Sequence, residues 1–284
     1  MASLKEVKTR IASVQSTKKI TEARQMIASA QLHRAQTVLK HAQYYNQALQ
    51  ASLSGMIDAD SEYHTPLTEV RDSGAVAIVI LSSNSGMNGS FNAKMEKEIH
   101  TFKNLYPNET LMFIPAGNKA RKALLQSGHE PACHFDHLVN KPSFEDVAQL
   151  AATLMDLYIS KKVKKIELVS YHFKSIGTQN IQYKTFLPYC FPASSAAGAT
   201  SSNYILEPSL QVILEESLPL LLHAMLYATF IDHQTSEFAA RTIAMQLASE
   251  NANELLDELR LTYNKVRQQN ITAELLDIMG SSFA

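Results

Sequence analysis

Neither glycine nor proline occurs in the first 54 residues, and neither occurs between residues 220 and 279. These two residues are the ones a helix interior tolerates least, at roughly 1 and 3 kcal/mol relative to alanine. Two such runs at opposite ends of one chain predict two long helices flanking a punctuated middle. At 1.5 Å rise per residue they would extend about 80 and 90 Å. Helices of that length must bury an apolar stripe on each other or on a partner. The pattern points to a scaffolding or mechanical part.

Charge divides along the same line. Residues 1 to 40 carry eight cations against Glu6 and Glu22, a net +6, whereas residues 207 to 258 carry nine acids against Arg241, a net −8. A basic end alone would suggest nucleic acid. A matching acidic end in the same chain makes intramolecular helix pairing the simpler explanation. Cys133 and Cys190 make no disulfide framework. The first residues, MASLKEVKTRIASVQ, lack the apolar core of a secretory signal. The apolar stretch from Leu218 to Ile231 is too short for a span and contains His223. The expectation is a cytoplasmic or peripheral chain.

The N-terminal run has a 3-4 spacing: Leu4, Val7, Ile11, Val14, then Lys18, Thr21 and Gln25, then Ala28, Leu32, Ala35, Leu39, Ala42, Leu49, Leu53 and Met56. Apolar a and d positions mark a coiled-coil seam. The polar interval is either a solvated stretch or a part of the seam that faces another partner, and Ala28, Ser29 and Ala30 would permit close approach there. Ser3 and Glu6 form a capping box that starts the helix, and Gly55 ends it near Met56 or Ile57. At the other end Pro208 suits a first turn, and Pro219 kinks or divides the helix. The seam continues through Ala248, Ala252, Leu255, Leu259, Tyr263 and Val266 to Ile271, Leu275 and Ile278, with Gly280 as the stop.

The middle alternates strand and helix. Residues 75 to 81, AVAIVIL, read as a strand buried on both faces. An amphipathic helix runs from Phe91 to Leu105, a second strand covers 111–115, and Asn118 to Gln126 is a short helix. A small strand is expected at 132–135 and a helix from Ser143 to about Ser160. Residues 164–173 and 180–188 read as a hairpin. The fold class is therefore α/β: a coiled coil of the terminal helices plus a three-layer Rossmann-like domain with a mainly parallel sheet. The division is 1–57, 58–207 with a flexible linker at 192–203, and 208–284.

Candidate chemistry is thin. The loop Ser82–Ser90 occupies the ligand position of a doubly wound fold, but it is neither a P-loop nor a dinucleotide fingerprint. A tight turn with a helix cap is the favoured reading. His129, Cys133, His134 and His137 cluster without matching a standard zinc spacing. His223 and His233, ten residues apart on a helix, cannot converge on one ion. No cofactor, metal site or catalytic constellation is expected.

The termini together resemble the gamma subunit of the rotary ATP synthase. Ile11, Val14, Thr17, Lys19-Ile20-Thr21, Met26, Ala28 and Arg34-Ala35 follow that family's opening helix. Ser236-Glu237, Ala240-Arg241, Ala244-Met245, Ala248, Asn251-Ala252, Tyr263-Asn264, Arg267-Gln268 and Ile271-Thr272 follow its closing helix in order and spacing. NYILEPS (203–209) resembles the entry to that helix. The middle departs: only Gly86, Gly89, Phe91 and Asn92 keep the family's pattern in LSSNSGMNGSFN. Arg24 and Gln31 also replace the usual Met and Lys.

The resemblance implies a non-enzymatic central stalk. Its terminal helices would form an antiparallel coiled coil inside a ring of alpha and beta subunits. Its α/β domain would sit outside, joined to the epsilon subunit and the membrane c-ring. Proton-driven rotation would then change the beta-subunit catalytic sites in turn. Arg267 and Gln268 would contact beta-subunit loops. Lys18, Thr21, Gln25, Met26 and Ala28 would form the bearing segment, and Tyr204 and Glu207 the foot near the c-ring and epsilon subunit. The place implied is the cytoplasmic face of a bacterial inner membrane. Without the resemblance, two other readings stand: a nucleotide-binding enzyme using the Ser82–Ser90 loop, and a nucleic-acid binder using the basic N-terminus.

Overall fold

The structure is a computed structural model that describes residues 3–56, 65–107, 109–133, 135–191, 207 and 209–282. Its residues divide into two compact units, 31–240 and 1–30 with 241–284. Helix α1 (Leu4–Met56) and helix α6 (Leu210–Ser282) each contribute to both. The expected capping box opens α1: the Ser3 N–H donates to Glu6 Oε2 at 2.8 Å, and the Glu6 N–H donates to Ser3 Oγ at 3.3 Å.

Within residues 31–240 the order is β1 (Ala75–Leu81), α2 (Phe91–Leu105), β2 (Leu111–Ala116), α3 (Asn118–Gln126), α4 (Asp136–Asn140), α5 (Phe144–Ile159), β3 (Val163–Ser175) and β4 (Thr178–Leu187). The strands lie in the order β2-β1-β3-β4, with β1 parallel to both neighbours and β4 antiparallel to β3. The strand AVAIVIL is buried on both faces, as its unbroken apolar run predicts. Ala77, Val79 and Leu81 join a core formed with α5 and α6, whereas Val76, Ile78 and Ile80 join one formed with α2 and α3. That alternation makes the three layers. Each fully buried Val, Ile or Leu contributes about 1.5–3 kcal/mol relative to exposure.

Four details differ from the expectations. Of residues 132–135, the described ones, 132, 133 and 135, lie in no strand. The Ala132 and Phe135 N–H groups do reach Phe113 O and Pro115 O, but the spacing is irregular and Pro115 has no N–H to return. The chain turns into α4 instead. Pro219 does not divide α6, which is one continuous helix around it. The carbonyl left without an N–H partner belongs to Glu215, an exposed residue where solvent can serve. Gly280 does not stop α6 either, since the helix runs to Ser282. The stripe beyond Val266 is also not a seam, for a reason set out below. Pro208 and the linker at 192–203 lie outside the described residues.

From Leu221 to Ala240, α6 is buried around most of its circumference, with only His223, Tyr227, Gln234, Phe238 and Ala240 half-buried. This accounts for its apolarity. Although a window of α6 reaches a mean hydropathy of 1.2, half of it is covered by the protein itself.

Candidate functional site

The helical pair of residues 3–30 and 241–282 holds most of the residues singled out in the sequence. On α1 the expected stripe is the buried one: Val7 and Ala28 are buried, and Leu4, Ile11, Val14, Lys18, Thr21 and Gln25 are half-buried. Facing positions on α6 are Met245, Ser249, Ala252, Leu256 and Leu259, all buried, with Leu255, Tyr263 and Val266 half-buried. Ser249 Oγ donates to Glu22 Oε1 at 3.5 Å. If the helices run antiparallel from that contact, Leu4, eighteen residues before Glu22, falls opposite Arg267, eighteen residues after Ser249. Burial on α6 ends at Val266. The position where burial stops fits an antiparallel pair whose N-terminal partner has run out.

Consequently Ile271, Leu275 and Ile278 are 48, 56 and 65 % exposed. Their apolar spacing continues the seam pattern, but burial does not. Leu276 and Met279 are exposed as well. Arg267 and Gln268 lie at the base of this tip. Both are exposed, and neither side chain has an ion pair or hydrogen bond among the described residues.

Lys18 and Thr21 of the polar interval find partners within α1. Thr21 Oγ1 donates to Lys18 O at 2.7 Å, and Lys18 Nζ lies 3.5 Å from Glu22. A hydroxyl satisfied within its own helix leaves no buried polar group to be unpaired when the facing surface changes. The structure separates the members of the expected bearing. Lys18, Thr21, Gln25 and Ala28 lie along the seam, whereas Met26 is 68 % exposed on another face. Ile20 and Ile27 are also exposed. Neither belongs to the stripe, and large apolar residues off the stripe are the sequence signal for such a second face. Among the described residues, the ion pairs Lys18–Glu22 and Arg260–Asp257 each lie within one helix.

The Ser82–Ser90 loop folds onto itself. Ser83 Oγ lies 2.6 Å from Ser85 O and 2.8 Å from Asn92 Oδ1. Asn88 Nδ2 donates to Ser83 Oγ, and Asn92 Nδ2 donates to Asn88 Oδ1. Asn84 ties the loop to α3 and α4, accepting the Asn118 N–H and donating to Asp136 O. Gly117, at φ +110, brings β2's exit against Ser82 so closely that a Cβ would strike the Ser82 backbone. This is tight-turn geometry, though Ser90 makes no side-chain cap to α2. Among the described residues no three His, Cys, Asp or Glu side chains come together to hold a metal ion. His134 lies outside them. Burial raises the Cys133 thiol, which keeps it unreactive. His233 is fully buried, and burial pushes it down to about 3. Of the foot residues, Glu207 is exposed and Tyr204 lies outside the described residues.

An antiparallel helical pair with a tolerant polar interval and an uncovered apolar tip, carried with an α/β unit, defines a class: the moving or bracing subunit of a larger assembly. The ATP synthase family model matches residues 3–284. The ATP synthase gamma chain of Parabacteroides distasonis is 42 % identical over 99 % of both chains, and that of Bacteroides fragilis 41 % identical over the whole of both. The chain belongs to the ATP synthase gamma-chain family. As a member it is a central-stalk subunit, and catalysis resides elsewhere in the synthase. The fold is similar to a chain of the Euglena gracilis mitochondrial ATP synthase rotor, with TM-score 0.65, 17 % identity and coverage of 94 % and 98 %. It is also similar to one of the central stalk and c-ring structure from Tetrahymena thermophila, with TM-score 0.59, 18 % identity and coverage of 81 % and 99 %.

Proposed function

We propose that this chain is the rotating shaft of a proton-driven ATP synthase, with its helical pair inserted into a ring of alpha and beta subunits. The observation that carries the reading is the end of α6. Beyond Val266 it presents exposed Ile271, Leu275, Leu276, Ile278 and Met279, an apolar surface that a soluble monomer has no reason to keep. A ring lumen would cover it. Arg267, which has no ion pair or side-chain hydrogen bond among the described residues, can hold a beta-subunit carboxylate bidentately, with Gln268 beside it. Lys18, Thr21, Gln25, Met26 and Ala28 form the bearing, where self-satisfied polar and small contacts slide more readily than interdigitated knobs. The foot at Tyr204 and Glu207 meets the epsilon subunit and c-ring. In function the divisions are 1–57, 58–207 and 208–284, and the whole sits at the cytoplasmic face of the bacterial inner membrane.

The mechanism is mechanical. Each orientation of an asymmetric shaft contacts the three catalytic subunits differently. It therefore favours a different conformation in each and shifts their populations as it turns. Reconstitution tests the reading. The ring and membrane sector with this chain should make ATP under a proton gradient, and synthesis at the normal rate without the chain would refute it.

A further inference from the structure

Three successive residues of α6 grip the α/β unit from different directions. Asp232 Oδ1 accepts the Phe173 N–H at 2.8 Å, and its Oδ2 lies 2.7 Å from His172 Nδ1. His233 Nδ1 accepts the Tyr171 N–H at 3.2 Å. Gln234 Nε2 donates to Asn140 O at 2.8 Å and to Val139 O at 3.2 Å. Successive helix residues point about 100° apart. Ordinary one-sided packing uses residues three and four apart, so three consecutive anchors wrap the helix instead of seating one face.

The strand side explains the choice of residues. β1 pairs with β3 only as far as Ile80 opposite Val169. Beyond that point β3 has lost its neighbour on the β1 side, and the Tyr171 and Phe173 N–H groups face an edge. Asp232 and His233 supply the acceptors that a longer β1 would have supplied, so α6 is stitched into the hydrogen-bond ladder. Asp232 and His233 are buried, which limits competition from water for these bonds. Apolar packing is non-directional and allows a helix to roll, whereas directed bonds on opposite sides resist rotation about its axis.

We propose that Asp232, His233 and Gln234 are a torsional clamp, positioning residues through which the α/β unit drives α6 without slip. The proposal rests on the shaft reading. The test uses the complete synthase in vesicles, reading proton pumping per ATP hydrolysed against an opposing gradient, with assembled gamma chain quantified in each sample. Wild type must first couple, which tests the shaft reading separately. The double variant Asp232→Ala/Gln234→Ala should then lose at least threefold in pumping per ATP while ring hydrolysis persists. Asp232→Asn keeps an Oδ1 acceptor for Phe173 and places an amide beside His172 Nδ1, so it should stay within about a third of wild type. If the double variant fails to assemble, Gln234→Ala alone is read, with an expected loss of about twofold. An unchanged ratio in the double variant, or in Gln234→Ala when that variant is read, overturns the clamp. So does an Asp232→Asn variant as impaired as the double variant.

Discussion

Glu22 accepts a hydrogen bond from Ser249 at 3.5 Å across the seam of the helical pair. In an antiparallel pair that contact places Leu4 opposite Arg267, so the last turns of α6 extend beyond the start of α1. Their exposure follows from the unequal reach of the two helices.

The first prediction concerns that tip. Residues 267–276, 278 and 279 are exposed. Ending the chain after Val266 therefore removes little buried area, and the thermal midpoint should move by no more than about 2 °C, the shift expected for a change of roughly 0.5 kcal/mol. Coupled synthesis should fall several-fold, because the covered surface in the assembly is lost. A large drop in midpoint would mean that the tip packs within the chain.

Ala28 and Met26 separate seam from outer surface. Ala28 is 1 % exposed, so Ala28→Leu forces extra volume into a closed helix–helix contact and should cost about 1–3 kcal/mol in urea unfolding. Met26→Ala, at a 68 % exposed site, should change stability by less than about 0.5 kcal/mol. Equal effects would contradict the orientation of α1.

Legibility in the sequence followed from how local each determinant is. The α1 stripe from Val7 to Leu53, the two-faced burial of Val76 to Leu81 and the Ser3–Glu6 cap depend on spacing within one element, and all were readable. The fate of 132–135 depended on Pro115, a residue on another strand. The exposure of Ile271 and Leu275 depended on where the opposite helix begins. Burial of Asp232 and His233 required knowing that β1 ends early and leaves the Tyr171 and Phe173 N–H groups on an edge. The same apolar period serves a seam inside the chain and a surface awaiting another subunit, which is why the stripe alone could not separate them.

His233 gives a pH prediction. Its folded form is neutral, with protonation pushed by burial from the ordinary 6.5 down to about 3. Below pH 6.5 the unfolded chain binds a proton that the folded chain refuses. The stability contributed by this site is thus whole above pH 6.5 and declines as pH falls towards 3. The slope is about 1.4 kcal/mol per pH unit within that window. Asp232 acts oppositely, since burial raises its carboxyl and the folded state takes up that proton first. His233→Gln removes the histidine contribution, so the variant should lose about 2 kcal/mol less than wild type between pH 6.5 and 5. Urea midpoints measured across this range check it, and parallel losses in the two proteins would refute it.

Gly117 tests the corner that closes the Ser82–Ser90 loop. Its φ of +110 and the close approach of Ser82 leave no room for a Cβ. Gly117→Ala combines a disfavoured backbone with a backbone clash, and should cost more than about 2 kcal/mol. Gly86→Ala, where nothing lies within 4 Å of the added carbon, should be close to neutral. Chemical denaturation of both variants makes the comparison, and similar values would mean that the corner is not tightly closed.

Arg267 bears on the shaft most directly. Its guanidinium is exposed and has no partner among the described residues, so Arg267→Ala should leave the unfolding midpoint within about 0.5 kcal/mol of wild type. In the assembly, losing a bidentate contact to a carboxylate should lower coupled synthesis roughly threefold to tenfold, the effect of about 0.7–1.4 kcal/mol. Arg267→Lys keeps the charge without the planar fork and should recover only part of the rate. Full activity in Arg267→Ala would remove this residue from the ring contact, and full recovery by lysine would show that charge alone suffices.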